Sequence, residues 1–267
     1  MIKQLLCSLH KDVKEYIRCK KHFILGSVLL TLCIMVFGAT NFLPSLINEL
    51  IKNAAYIVSD IDSIKGTITT FFPRELAANM GILVSDIFVF YGIVVILSTY
   101  NLIPKEIAEG RWIFPLSVGY DPFILILSKG LVYSMGAAVP CVVVYNLYYC
   151  IGNIYLYPDY VLTTSMINSI VLGISIFFIA YFTTILSSIY KHAIMSACTM
   201  IMFVVIAPDI FTLFSFGKYL PTYMLTHLNQ SSNNFQDLII PVILTIIMAI
   251  LLTSLAAQKA SNIEVSR

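Results

Sequence analysis

Six long apolar runs divide the chain and restrict what it can fold into. They cover residues 23–40, 80–103, 123–151, 166–190, 193–216 and 238–257. A stretch of about 20 apolar residues is long enough to cross the hydrocarbon core of a bilayer as a helix. Backbone polar groups in hydrocarbon must be satisfied internally, and the runs do not alternate as membrane β-strands do. The pattern therefore predicts an all-α polytopic membrane protein with six transmembrane helices.

The composition indicates the same class of protein. The 267 residues are 59% hydrophobic and only 11% charged, whereas soluble domains carry about 25% charged residues. An apolar excess of this size is needed when the outer surface of a protein faces the lipid bilayer. The net charge of +2 gives no indication of a nucleic-acid partner.

The positions of lysine and arginine predict the orientation. With the N-terminus inside, the inner segments hold 12 of the 16 basic residues, and only Lys52, Lys65, Arg74 and Lys218 fall outside. Cytoplasmic loops carry an excess of lysine and arginine. We therefore expect both termini in the cytoplasm.

The expected organisation has three parts. Residues 1–22 form a cytoplasmic, interfacial amphipathic helix, although a plain basic flank would also explain their charge. Residues 23–257 form the six-helix transmembrane domain, with outer loops at 41–79 and 217–237. The first outer loop is expected to carry its own amphipathic helix from Phe42. Residues 258–267 form a cytoplasmic tail.

The chain lacks the motifs of the common catalytic sites. It has no GxxxxGK[ST] phosphate loop, no HExxH and no GxSxG, and its cysteines show no metal-binding spacing. We expect no catalytic site, no metal and no cofactor bound by this chain. An intramembrane enzyme is the weakest of the function classes.

Few ionisable residues lie within the predicted spans. Asp86 is about two turns inside the second span, and Lys129 is about two turns inside the third. A lysine at this depth can extend its ammonium to the interface, so Lys129 is interpreted as an inner-leaflet anchor. A carboxylate is too short for this, which makes Asp86, with the nearby Tyr91, a candidate pathway or subunit-interface residue. An ion-coupled secondary transporter or a channel subunit stays open as an alternative function.

The cytoplasmic segment 104–122 is unusually polar and is bracketed by prolines. Pro104 favours the start of a helix and Pro115 stops one, so residues 105–114 are predicted to form a short helix. Glu106 and Glu109 would share one face of it. Trp112 and Phe114 would give it an apolar side.

This segment resembles the permease subunit of ATP-binding-cassette exporters of the second type. The stretch KEIAEGRWIFPLSVGYDPFILILSKG is similar to the pattern that the family has between spans two and three. The matching residues are Glu106, Glu109, Gly110, Leu116 and Lys129. Arg111 stands where a threonine is usual, and Ser117-Val118-Gly119 replaces the common proline-containing turn. The order of a basic interfacial helix followed by six spans also resembles the family.

The resemblance implies a function, partners and a location. The chain would be the permease of an ATP-driven exporter in a bacterial inner (cytoplasmic) membrane. It would form half of a translocation pathway, together with a second copy or a paralogue. A separate ATPase subunit, which carries ATP and Mg, would dock on an interface made by Glu106, Glu109, Gly110, Arg111, Trp112 and Phe114. Small permeases of this family often export amphipathic or antimicrobial-type peptides, which is the expected substrate class.

Overall fold

The computed structural model of the chain describes residues 2–54, 73, 75–190, 192–206, 223 and 236–265. The regular structure in this part of the chain is helical, which confirms the all-α prediction for it. In chain order the elements are α1 (Ile2–Arg18), α2 (Lys21–Ala54), α3 (Leu76–Asp86), a π-helical segment (Ile87–Tyr91), α4 (Gly92–Thr99), α5 (Leu102–Ala108), α6 (Ile113–Ser117), α7 (Pro122–Tyr155), α8 (Leu162–Ile189), α9 (Ala193–Val205) and α10 (Gln236–Val265).

Five helical stretches among the described residues are long and apolar enough to cross a membrane. They are Lys21–Leu46, Leu76–Ala108, Pro122–Tyr155, Leu162–Ile189 and Leu238–Ser261. Each covers the corresponding predicted run to within one residue and extends beyond it. The chain thus has the helix lengths and composition of a multi-pass membrane protein.

The fifth predicted run is described only in its first half. Helix α9 has 13 residues, so at about 1.5 Å per residue it is about 20 Å long, shorter than a hydrocarbon core of about 30 Å. Residues 207–216, which complete the predicted run, lie outside the described residues. The sixth span and the cytoplasmic position of both termini therefore stay predictions.

Helix α2 is longer than the sequence pattern predicted. It runs without a break from Lys21 to Ala54 and passes through Pro44, although the first span was predicted to end at residue 40. The separate amphipathic helix expected from Phe42 is the second half of α2. Residues 55–72 and most of the predicted outer loop 217–237 lie outside the described residues.

The core of the bundle lies where α7 packs antiparallel against α8. The two helices approach closely at Gly173, because a Cβ placed on this glycine would lie 2.5 Å from the Val142 side chain. Small residues at such contacts allow membrane helices to pack closely. Tyr91 is fully buried in the same core, and its hydroxyl donates a hydrogen bond to the Ala137 carbonyl oxygen at 2.8 Å.

Helix α1 lies lengthwise along the first half of α7. The Ser8 and Ser128 hydroxyls share a hydrogen bond of 2.6 Å, and the Tyr16 hydroxyl donates to the Gly136 carbonyl oxygen at 2.9 Å. Both pairs are separated by the same 120 positions in the sequence, so the two helices run side by side in the same direction. A helix that crossed α7 at a steep angle would form one of these two hydrogen bonds and not both.

Candidate functional site

The segment 104–122 forms two short helices joined by a turn, not the single helix predicted for residues 105–114. Helix α5 ends at Ala108, and Gly110 adopts a left-handed backbone conformation with φ of +71°. Glycine takes this conformation without steric cost, so it ends the helix and reverses the chain. Pro115 lies in the first turn of α6, where its missing N–H is not needed, and therefore does not stop the helix there.

The two predicted coupling carboxylates, Glu106 and Glu109, face in opposite directions. Glu106 is directed into the protein and is only 4% exposed, whereas Glu109 lies on the surface. The Trp112 indole, also buried, donates a hydrogen bond from Nε1 to Glu106 Oε2 at 3.0 Å. Glu106 and Trp112 therefore attach the segment to the bundle and are not free to contact a partner.

Lys129 is the basic residue that faces Glu106 in the protein interior. It lies in the second turn of α7, is 1% exposed, and its ammonium contacts Glu106 Oε1 directly. The same ammonium lies 3.2 Å from Glu15 Oε2 and 3.9 Å from Asp12 Oδ1, both on α1. An anchor that extends to lipid headgroups would have an exposed ammonium, so the described contacts of Lys129 differ from the inner-leaflet role expected from sequence.

Asp12 completes a group of charges that we name the charge cluster: the buried Asp12, Glu106 and Lys129 and the partly exposed Glu15. Ser128 donates a hydrogen bond from Oγ to Asp12 Oδ2 at 2.6 Å, and Lys11 lies 3.6 Å from Oδ1. Burial raises the pKa of the Asp12 carboxyl, and the nearby Lys129 ammonium only partly offsets this effect. Buried charges need such partners, because an isolated one is strongly destabilising.

The sequence pattern did not reveal the part that α1 contributes to the charge cluster. Its apolar residues were expected to lie in the membrane interface, and no polar contact face was predicted. The residues that meet α7 are Ser8, Asp12 and Tyr16. These three polar positions are four residues apart and so form one stripe of a helix. That spacing was a usable signal for a polar contact face. The apolar residues Ile2, Leu6, Val13 and Ile17 are exposed.

A layer of exposed charges covers the charge cluster on the side of the turn. Arg111 Nε lies 2.7 Å from Glu109 Oε2, and Arg111 Nη1 lies 3.1 Å from Glu15 Oε1. The Arg111 side chain is about half exposed, so these pairs contribute little stability in water. They orient the turn between α5 and α6 relative to α1.

The apolar residues of α6 and the turn that follows point away from the bundle. Ile113, Phe114 and Val118 are 63%, 76% and 60% exposed. We name these three side chains, with Glu109 and Arg111 beside them, the docking surface. Of the predicted coupling residues, Phe114, Glu109 and Arg111 therefore lie on this surface, Gly110 forms its turn, and Glu106 and Trp112 lie behind it.

Asp86 and Tyr91 lie at the two ends of the π-helical segment. Asp86 is the last residue of α3, about 15 Å along the span from Leu76, and it is partly exposed. Tyr91 is fully buried, so its hydroxyl is not open to a pathway. π-Helical turns inside α-helices are rare overall, but those that occur are often found at functional sites. Of these two candidate pathway residues, only Asp86 is open to a pathway or a subunit.

The described residues contain no group of three or more His, Cys, Asp or Glu side chains that could hold a metal ion. Comparison of the chain with protein-family models, with curated proteins and with solved structures gives no match.

Proposed function

We propose that this chain is the membrane-spanning permease subunit of an ATP-driven exporter. It forms half of a translocation pathway and binds a separate nucleotide-binding subunit that carries ATP and Mg. The proposal is supported by five helices long enough to cross a membrane and by the resemblance of the stretch from Lys105 to Gly130 to exporters of the second type. The second half of the pathway comes from another copy or from a paralogue, in a bacterial inner membrane.

The observation that carries the proposal is the docking surface on α6. Three large apolar side chains are exposed on a short polar segment, at the end of the bundle where α7 begins. Exposed apolar residues bordered by charges are typical of a protein–protein contact, and buried aromatic residues commonly dominate the binding energy of such contacts. Phe114 is the aromatic residue available here, because Trp112 is already buried.

The segment is also held firmly enough to transmit a displacement. Glu106 and Trp112 attach it to the bundle, and Arg111 links it to α1 through Glu15. A docking surface on a mobile loop would absorb the motion of an ATPase subunit. A surface attached through buried contacts passes that motion to the spanning helices.

The proposed substrate is an amphipathic peptide of the antimicrobial type. Its support is the resemblance, in which small permeases without a fused ATPase often export such peptides.

One observation favours a second candidate function, ion-coupled transport or a channel. Asp86 is a partly exposed carboxylate within a span, next to the π-helical segment. Ionisable residues inside membrane spans commonly mark ion or proton pathways. In this case transport would follow an ion gradient and would not need ATP.

Purification from native membranes followed by reconstitution into liposomes tests the proposal. We expect a second subunit with a phosphate loop to co-purify, and the reconstituted complex to hydrolyse ATP while the isolated chain does not. Phe114→Ser should weaken co-purification. Transport that persists without nucleotide and collapses when an ion gradient is removed would contradict the proposal and favour the second candidate.

A further inference from the structure

The contact between α1 and α7 is polar, although most of the protein is apolar. Asp12 accepts a hydrogen bond from Ser128, Tyr16 donates one to the Gly136 carbonyl oxygen, and Glu15 pairs with Lys129. Most large apolar residues of α1 face outward. Its apolar contact with α7 is limited to the Tyr16 ring, which packs against Val132 and Tyr133 with Leu9 beside it. The position of α1 therefore depends largely on hydrogen bonds and charges.

Lys129 is the residue that these charges share. Its ammonium meets carboxylates from two different elements, Glu106 on α5 and both Asp12 and Glu15 on α1. The other basic groups in contact with these carboxylates, Lys11 and Arg111, are about half exposed, whereas Lys129 is almost fully buried. Removal of a buried partner leaves the opposite charges uncompensated, so the attachment of α1 and α5 depends most on this one ammonium.

The same ammonium lies on a buried polar route from the docking surface to a spanning helix. Phe114 is two residues from Trp112 in the chain, and Trp112 donates its indole hydrogen bond to Glu106. Glu106 in turn contacts Lys129, which belongs to α7. A displacement of α6 thus reaches α7 through two buried polar contacts, in addition to the chain link between Ser117 and Pro122.

We propose that Lys129 is a positioning residue that joins α1 and the α5–α6 segment to α7 as one unit, so that motion of an ATPase subunit at the docking surface moves the spanning helix. The role in transmission rests on the proposed function. The attachment of α1 does not, and it can be measured on the purified chain alone.

The first measurement follows the attachment of α1. In a chain whose six native cysteines are replaced by serine, Ser8→Cys with Ser128→Cys places two thiols where the hydroxyl oxygens lie 2.6 Å apart. Mild oxidation then forms this disulfide only while α1 is docked. In this background, Lys129→Met should slow disulfide formation by on the order of tenfold or more, because a buried carboxylate loses its partner. Lys14→Met, an exposed lysine on α1, is the matched control and should leave the rate unchanged.

The second measurement follows transmission in the complex with the ATPase subunit. Lys129→Met should still co-purify with that subunit and hydrolyse ATP, but transport per ATP should fall severalfold. Lys129→Arg keeps the charge and should restore most of both signals. Lys129→Gln loses the charge but keeps a hydrogen-bond donor, and it should lower both signals as Lys129→Met does. A residue that only stabilised the bundle would lower hydrolysis and transport together.

Each outcome decides part of the proposal. An unchanged disulfide rate in Lys129→Met or Lys129→Gln would overturn the attachment, and so would a slow rate in Lys129→Arg. Slower disulfide formation with unaltered transport per ATP would overturn the transmission role. Failure of the wild-type chain to bind any ATPase subunit would instead overturn the proposed function, and the disulfide rate would still test the attachment. If Lys129→Met does not fold, Lys129→Gln carries the test.

Discussion

The ammonium of Lys129 contacts the carboxylate of Glu106 in the interior of the protein, where the two residues are 1% and 4% exposed. A buried ion pair of this kind adds little to the net free energy of unfolding, but the loss of one member is strongly destabilising. The two glutamates of the segment, Glu106 and Glu109, should therefore respond very differently to the same substitution.

Glu106→Gln should lower the free energy of unfolding by about 3–5 kcal/mol, because Lys129 loses its nearest carboxylate. Glu109→Gln is the matched control and should cost about 0–1 kcal/mol, since Glu109 is exposed. Thermal loss of helical circular dichroism in detergent measures both. Equal stability of the two variants would show that the buried pair does not hold the segment.

Phe114→Ser should weaken binding of the ATPase subunit without a change in folding, because the side chain is 76% exposed in the isolated chain. Aromatic anchors of interfaces cost about 2 kcal/mol or more when truncated. Phe42→Ser, at an equally exposed phenylalanine on α2, should bind as the wild type does. Titration with the ATPase subunit measures the affinity of each variant. An equal loss of affinity in both variants would show that α6 is not part of the interface.

Asp86→Leu should impair transport or assembly while the helix content stays normal. The carboxylate is partly exposed within a span, where an uncompensated charge costs about 2.5–3.5 kcal/mol and is retained only for a reason. Phe90→Leu, four residues further along, serves as the control. Transport in liposomes together with the size of the purified complex is the measurement. Wild-type values for both would make Asp86 incidental.

Gly173→Ala should destabilise the bundle by about 1–3 kcal/mol, because the added Cβ would lie 2.5 Å from Val142 Cγ2. Gly81→Ala adds a Cβ where nothing lies within 4 Å and should be neutral or slightly stabilising. The double substitution Gly173→Ala with Val142→Ala should recover part of the loss. Thermal unfolding in detergent compares the three variants, and equal midpoints would contradict the packing of α7 on α8.

The pH dependence of stability should carry a contribution from Asp12. Its native pKa is raised, so the folded protein binds this proton more tightly than the unfolded chain does. The resulting stability is complete below the unfolded pKa of about 3.9 and is lost as the pH rises through the higher native value. Burial raises this pKa, the Lys129, Ser128 and Lys11 side chains partly offset the rise, and Glu106 adds to it. Asp12→Asn removes this contribution to the pH dependence, so the wild type should lose stability relative to the variant as the pH rises. A constant difference between the two midpoints would contradict the raised pKa.

Much of the fold follows from the sequence because its signal is long and redundant. An apolar run such as 123–151 contains many residues that all favour the same outcome, and the helix found there, α7, differs from it by a few residues at each end. Its start is also marked locally, since Asp121 caps the helix and Pro122 occupies its first turn. The end of α2 carries no such mark, and its continuation through Pro44 was not predicted.

The charge cluster was not predicted because its members are far apart in the chain. Lys129 is 114 positions from Glu15, and a single sequence does not show that α1 packs against α7. The spacing of Glu106 and Glu109 predicted a shared helical face, but α5 ends at Ala108, so Glu109 already belongs to the turn that the left-handed Gly110 completes. Local spacing describes one helix at a time, whereas the site is made by contacts among three.

Trp112 makes the charge cluster visible to spectroscopy without any label. It is the only tryptophan in the chain, it is 6% exposed, and its indole nitrogen is bonded to Glu106. Tryptophan emission, excited at wavelengths that the 16 tyrosines do not absorb, therefore reports on the polarity around one carboxylate. Opening of the cluster, by substitution, by pH or by a bound subunit, should shift the emission to longer wavelength as water reaches the ring. Motion that the proposed ATPase subunit imposes on this contact can thus be followed in real time in the unmodified protein.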